Sequence, residues 1–275
     1  MDWDPDFLVR SPMFEPLRLR APAFGAAWPA LSEWQRVFDA REPPVCNANG
    51  TPLRLVPPGR GANALEEKYE ARIHLSGELQ ARLENWHDCL NALVWLAFPL
   101  AKAALYARHY GASLEQRAAR RPNRGPVQDA LTLFDEGGVI VAACDGDLLE
   151  MVRTFRWKEL FWTHRERLST RMRFLVFGHA LYEKALRPFI GVTGRAILLE
   201  TEPGLLSAPV ASLVAVLDSR LALHLSDPRR LHATRELEVL PALGVPGWFA
   251  GNERESFYDD TGYFRPGRRP GERES

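Results

Sequence analysis

A histidine and a carboxylate, His179 and Glu183, occupy positions where helical packing calls for apolar side chains. The segment MRFLVFGHALYEKALRP (Met172 to Pro188) reads as a helix turning about 100° per residue. On that wheel His179 and Glu183 share a side with Met172, Leu175, Tyr182 and Leu186, while Arg173, Lys184 and Arg187 gather elsewhere. An imidazole and a carboxylate one turn apart can present two ligands to one metal ion. They can equally form a base with its orienting acid. Left without partners on an apolar face, both groups are costly.

A second segment, NWHDCLNALVWLAFPLAKAALYARH (Asn85 to His109), supplies candidate partners. From Cys89 to Tyr106 its only strongly polar side chains are Asn91 and Lys102. His87, Asp88, Asn91, Trp95 and Lys102 fall within roughly a 100° arc. Pro99 interrupts this helix and can turn Lys102 off the arc. His87, Asp88, His179 and Glu183 together suit one divalent ion such as zinc, manganese or iron. Asn91, Trp95 and Lys102, with Arg120, Arg121 and Arg124 from a basic loop, are the candidates for binding a small anionic, phosphorylated substrate.

These groups must be positioned by the elements around them. LSEWQRVFDARE (31–42) reads as a helix with Ser32 as its cap, and YEARIHLSGE (69–78) as a strand. In DALTLFDEGGVIVAACDGD (129–147), the runs 131–134 and 139–143 read as two strands of a hairpin. Asp135, Glu136 and two glycines form its turn. Asp135 and Glu136 are therefore turn residues first and further site candidates second. Asp129 is expected to pair with a nearby arginine or loop. A helix starts near Asp147 and carries Trp157, Phe161 and Trp162 as core. TGRAILLETE (193–202) reads as a strand and APVASLVAVLDSRLALHL (208–225) as a helix. The aromatic loop that follows is a candidate lid. The sum is an α+β chain, mainly helical, with a small antiparallel β-sheet. Residues 1–24 form an N-terminal extension, 25–265 a single domain, and 266–275 a polar, disordered tail.

Composition narrows the function classes. The 275 residues carry 35 basic and 35 acidic side chains, for a formal charge of zero. That balance disfavours a protein whose main task is gripping nucleic acid. Cys46, Cys89 and Cys144 show neither zinc-knuckle nor disulfide spacing. With an acidic N-terminus and no secretory pattern, this points to the cytoplasm and away from a membrane. No Gly-rich phosphate loop, G-x-S-x-G elbow or H-E-x-x-H is present.

Four pieces in one order, NWHDCLNALVWLAFP, ALTLFDEGG, FGHALYEK and LGVPGWFAGNERESFYDD, resemble the bacterial family filed as domain of unknown function 3025. The resemblance runs over roughly residues 25 to 265. It implies that His87, Asp88, Asn91, Asp129, Asp135, Glu136, His179 and Glu183 lie in the parts that define the family, and it implies no activity. Three functions remain in view. The first is a metal-assisted hydrolase acting on a small anionic substrate. The second is a metal-free enzyme or ligand-binding protein using its buried histidines. The third is a phosphate- or nucleic-acid-binding module built on the arginine loop.

Overall fold

The computed structural model describes residues 2–59 and 64–267. Residues 60–63, and 268–275 of the expected tail, lie outside the described residues. In chain order the helices are α1 (Glu15–Arg18), α2 (Leu31–Asp39), α3 (Tyr69–Ser76), α4 (Trp86–Ala97), α5 (Pro99–Ala118) and α6 (Pro126–Gly137). They continue with α7 (Gly146–Arg153), α8 (Arg165–Arg171), α9 (His179–Ala185), α10 (Pro203–Leu206) and α11 (Val210–Ser226). The strands are β1 (Arg54–Val56), β2 (Glu78–Gln80), β3 (Gly138–Ala143), β4 (Met172–Val176), β5 (Thr193–Glu200) and β6 (Glu238–Pro241). The class is α+β, as the sequence indicates.

The main sheet has the order β4–β3–β5–β6. It is mixed rather than antiparallel: β3 pairs antiparallel with β4 (Val139 opposite Val176) but parallel with β5 (Val139 opposite Ala196). The parallel pairing requires a crossover between β3 and β5, and the chain from α7 through α9 provides it. Every residue of β3 is buried, as its central place demands. A separate two-stranded sheet pairs β1 with β2 in parallel.

Four expectations about elements are corrected. Residues 69–76 are helical rather than extended, and Gly77 ends the helix with a positive φ of 69°. Residues 131–134 belong to α6, so no hairpin precedes β3. Pro126 at the first turn and a cap from the Gln128 side chain to Gly125 N (2.8 Å) start that helix, and these signals outweigh β-prone side chains. The segment 172–188 is not one helix: Met172–Val176 is a strand, and the helix begins only at His179. Likewise the expected helix from Asp147 is broken into α7, a π-helical stretch (Glu159–Thr163) and α8.

The long apolar segment divides at Phe98. Asn85 caps α4 by accepting from Asp88 N (3.1 Å), and Pro99 opens α5, with 111° between the two axes. The first amides of α5 are satisfied from α11, where the Asp218 carboxylate accepts from Leu100 N (3.1 Å) and Ala101 N (2.8 Å). No single helix among the described residues is long and apolar enough to cross a membrane; only this bent pair meets that length and composition together. The packed unit begins before residue 25. Phe7, Met13, Phe14 and Leu17 are buried, and Trp3 stacks on Trp86 with 5.0 Å between ring centroids.

Candidate metal centre

His87 lies in the first turn of α4 and His179 opens α9, two helices that pack against each other. Their Nε2 atoms face at 2.9 Å. Glu136, one residue from the end of α6, brings Oε1 to 3.6 Å from His179 Nε2 and 3.9 Å from His87 Nε2. These three donor atoms lie within 4.8 Å of one another. Two nitrogens bound to a tetrahedral zinc stand about 3.3 Å apart, so small side-chain shifts would let all three share one ion.

The remaining polar groups hold this trio in place. Glu183 Oε2 meets the other nitrogen of His87, Nδ1, at 3.1 Å. It therefore orients the ring from behind, as an outer carboxylate does for a metal-ligating imidazole. Asp135 Oδ2 stands 3.8 Å from His179 Nδ1, a buried nitrogen with no hydrogen-bond partner among the described residues. Lys102 is fully buried across the helix bend and donates to Asp135 Oδ1 (2.6 Å) and Asn91 Oδ1 (2.7 Å). Asn91 donates to the Tyr69 hydroxyl at 2.7 Å, and Tyr106 donates to Asp135 Oδ2 at 3.0 Å. The chain of hydrogen bonds thus runs from α3 through α4 and α5 to α6.

Proton affinities follow from burial and from these partners. Burial drives His179 down to about 3, so its imidazole is neutral at neutral pH. Burial alone would raise Asp135. The charge of Lys102 and the hydrogen bonds from Lys102 and Tyr106 hold it below its ordinary value instead. Burial pulls Lys102 down and Asp135 resists, which leaves a paired ammonium and carboxylate. Glu136 is raised by burial against the pull of His87. Burial and then Asp135 push the Tyr69 and Tyr106 phenols up, so both keep their protons.

Two backbone contacts bring Glu136 to the histidines. A Cβ on Gly178 would lie 2.3 Å from Gly138 N and 2.4 Å from Glu136 O. Glycine at 178 is what lets the β4–α9 junction press against the end of α6. Both Phe177 N and Gly178 N donate to Gly138 O at 2.9 Å. Gly138 has a φ of −63°, so the Asp-Glu-Gly-Gly run serves close approach and not a turn of positive φ.

A cavity of about 230 Å³ opens beside the trio. Its walls include His87, Asp88, Asn91, Asp135, Glu136 and His179, with Tyr69, Glu70, Arg82, Tyr106, His109 and Thr132. Asp88 lines it but is held by Arg82 through Nε (2.8 Å), Nη2 (3.0 Å) and the backbone amide (2.7 Å). Burial would raise that carboxyl; the arginine keeps it below its usual range. Trp95 does not line the cavity: it is wholly buried, with Lys102 Nζ 5.6 Å above its ring. Arg120 and Arg121 are exposed and away from the cavity walls. Arg124 reaches the cavity edge, donating to Thr132 and meeting His109 Nε2 at 3.2 Å, with Asp129 Oδ1 3.8 Å from its Nε.

The aromatic loop after β6 is not a lid on this cavity. Asn252 and Tyr258 tie it to the carbonyls of Leu243 and Gly244, and Trp248 and Phe249 line a different groove. Sequence reasoning placed Glu136 in a turn and did not single out Tyr69, Glu70, Arg82, Tyr106 or His109. The helix-opening proline at 126 was the signal that could have moved Glu136 to a helix end.

The family described as "Protein of unknown function (DUF3025)" matches residues 53–268, and the chain belongs to that family. No curated protein and no solved structure matches the chain.

Proposed function

We propose that this protein is a metal-dependent hydrolase of a small polar substrate, with His87, His179 and Glu136 holding one divalent ion. The observation that carries the reading is the convergence of two Nε2 atoms and one carboxylate oxygen at a cavity wall, with an outer carboxylate behind His87. Two imidazoles and one carboxylate suit zinc, manganese or ferrous iron. A neutral His179 is in the state a ligand must have.

An ion there would polarise a carbonyl or phosphoryl oxygen and lower the pKa of water. The chain's own residues do the rest. Glu183 fixes the tautomer of His87 by accepting from Nδ1, which leaves Nε2 free for the ion. Lys102 and Tyr106 hold Asp135 ionised beside His179. Tyr69 and Asn91 present polar atoms to the cavity. The arginines expected to take the anion do not line the walls, so an anionic or polarised group of the substrate belongs at the ion. The three free thiols fit a reducing, cytoplasmic setting.

The His87–Glu183 contact favours a second reading, in which His87 is a general base without metal. Elemental analysis of the purified full-length chain, with and without zinc, manganese or iron loading, separates the two. The expected result is about one ion per chain, lost in His87→Ala, His179→Ala and Glu136→Ala. No stoichiometric uptake by the wild type, together with hydrolysis that survives chelation, would reject the metal reading in favour of the base.

A further inference from the structure

One carboxylate in the cavity is matched by no arginine, lysine or ion among the described residues. Asp88 is matched by Arg82 and Asp135 by Lys102. Glu136 and Glu183 together match a divalent ion held by the two histidines. Glu70 remains. It lines the same cavity, outside the His87–Glu136–His179 group, and its side chain is only 29% exposed. Among the described residues it accepts no hydrogen bond, and its one ion pair is with His109, whose Nε2 lies at 3.8 Å. Burial lowers the pKa of His109 against the pull of Glu70, so His109 brings no charge at neutral pH.

The nearby cations are spent or outside. Arg124 is engaged by Thr132, His109 and Asp129. Lys68 stays exposed and does not line the cavity. His109 itself is 4% exposed, and its Nδ1 has no hydrogen-bond partner among the described residues. Glu70 is thus a half-enclosed carboxylate facing the cavity beside a buried imidazole, placed to accept from a charged donor on a ligand.

We propose that the substrate carries a protonated amine that binds Glu70, and is therefore zwitterionic or dipolar: an oxyanion or polarised carbonyl at His87, Glu136 and His179, and an ammonium group at Glu70. This rests on the metal reading above. It names a substrate class that a pocket with free arginines would reject and this one accepts.

The test uses the full chain loaded with cobalt(II), whose visible absorption reports ligands entering the metal's surroundings. The probes are 3-aminopropanoate, 4-aminobutanoate and 6-aminohexanoate, each titrated against the alkanoate of the same length. At least one amino acid is expected to bind about tenfold more tightly than its alkanoate. Glu70→Gln is expected to erase that preference while cobalt uptake and alkanoate binding stay as in the wild type. Equal affinities within every pair overturn the inference on the wild type alone, whatever the variant's fold. A preference that survives Glu70→Gln overturns it too. Absence of any cobalt band before a probe is added rejects the metal reading and this inference with it.

Discussion

At the scale of single residues, the centre divides into atoms that would touch an ion and atoms that aim them. Glu136 belongs to the first set and Glu183 to the second, although the sequence puts Glu183 among the ligands and Glu136 in a turn. An i, i+4 pair on one helix is visible in a sequence; a carboxylate arriving from another element is not. Exchange of Glu183 for Gln is expected to weaken metal affinity by about 10- to 100-fold, and Glu136→Gln by more, as measured by competition with a coloured chelator. Equal losses would remove the distinction. His179 gives a pH signature in the metal-free protein. Its folded pKa of about 3 lies below the ordinary 6.5. Between these values the unfolded chain holds a proton that the folded chain refuses. The stability concerned is present above about pH 6.5 and drains away as pH falls toward 3, by something on the order of 5 kcal/mol in full. Urea unfolding at pH 7 and pH 4 should show a smaller acid loss for His179→Gln than for the wild type; identical losses would contradict this assignment.

At the scale of elements, the deciding contact is backbone on backbone. The β4–α9 junction reaches the end of α6 only because Gly178 has no side chain to meet Gly138 N and Glu136 O. Gly178→Ala should therefore do two things at once. It should destabilise by about 1–3 kcal/mol or more through overpacking, and it should move Glu136 away from His179 and depress metal uptake. Thermal unfolding followed by elemental analysis reads both; an alanine variant with wild-type melting and uptake would sink this account. Periodicity made α2, α11 and β5 legible, together with the buried polar face of α4. It misread residues 131–134 because a short apolar run fits strand or helix equally. It misread residues 172–176 because the apolar side chains of a strand and of a helical stripe overlap over five residues. What decides in both places is partner geometry, since β4 exists only by pairing with β3.

For the whole molecule, three distant parts of the chain converge on one elbow. Asp218 of α11 caps the first turn of α5 just beyond the bend. Asp218→Ala is expected to cost about 1–2 kcal/mol, with Asn, which keeps an acceptor, costing less; chemical unfolding in which Ala and Asn behave alike would refute the capping role. The bend itself was announced by Pro99, but its direction was not. Only the fold shows that it turns Lys102 inward to meet Asn91 and Asp135. Asn91 sits on one arm of the elbow and Lys102 on the other, and the 2.7 Å bond between them closes the angle. The two helices thus behave like a calliper with its screw tightened: the gap where a guest molecule fits is gauged in advance. A ligand should slip in without the arms having to swing.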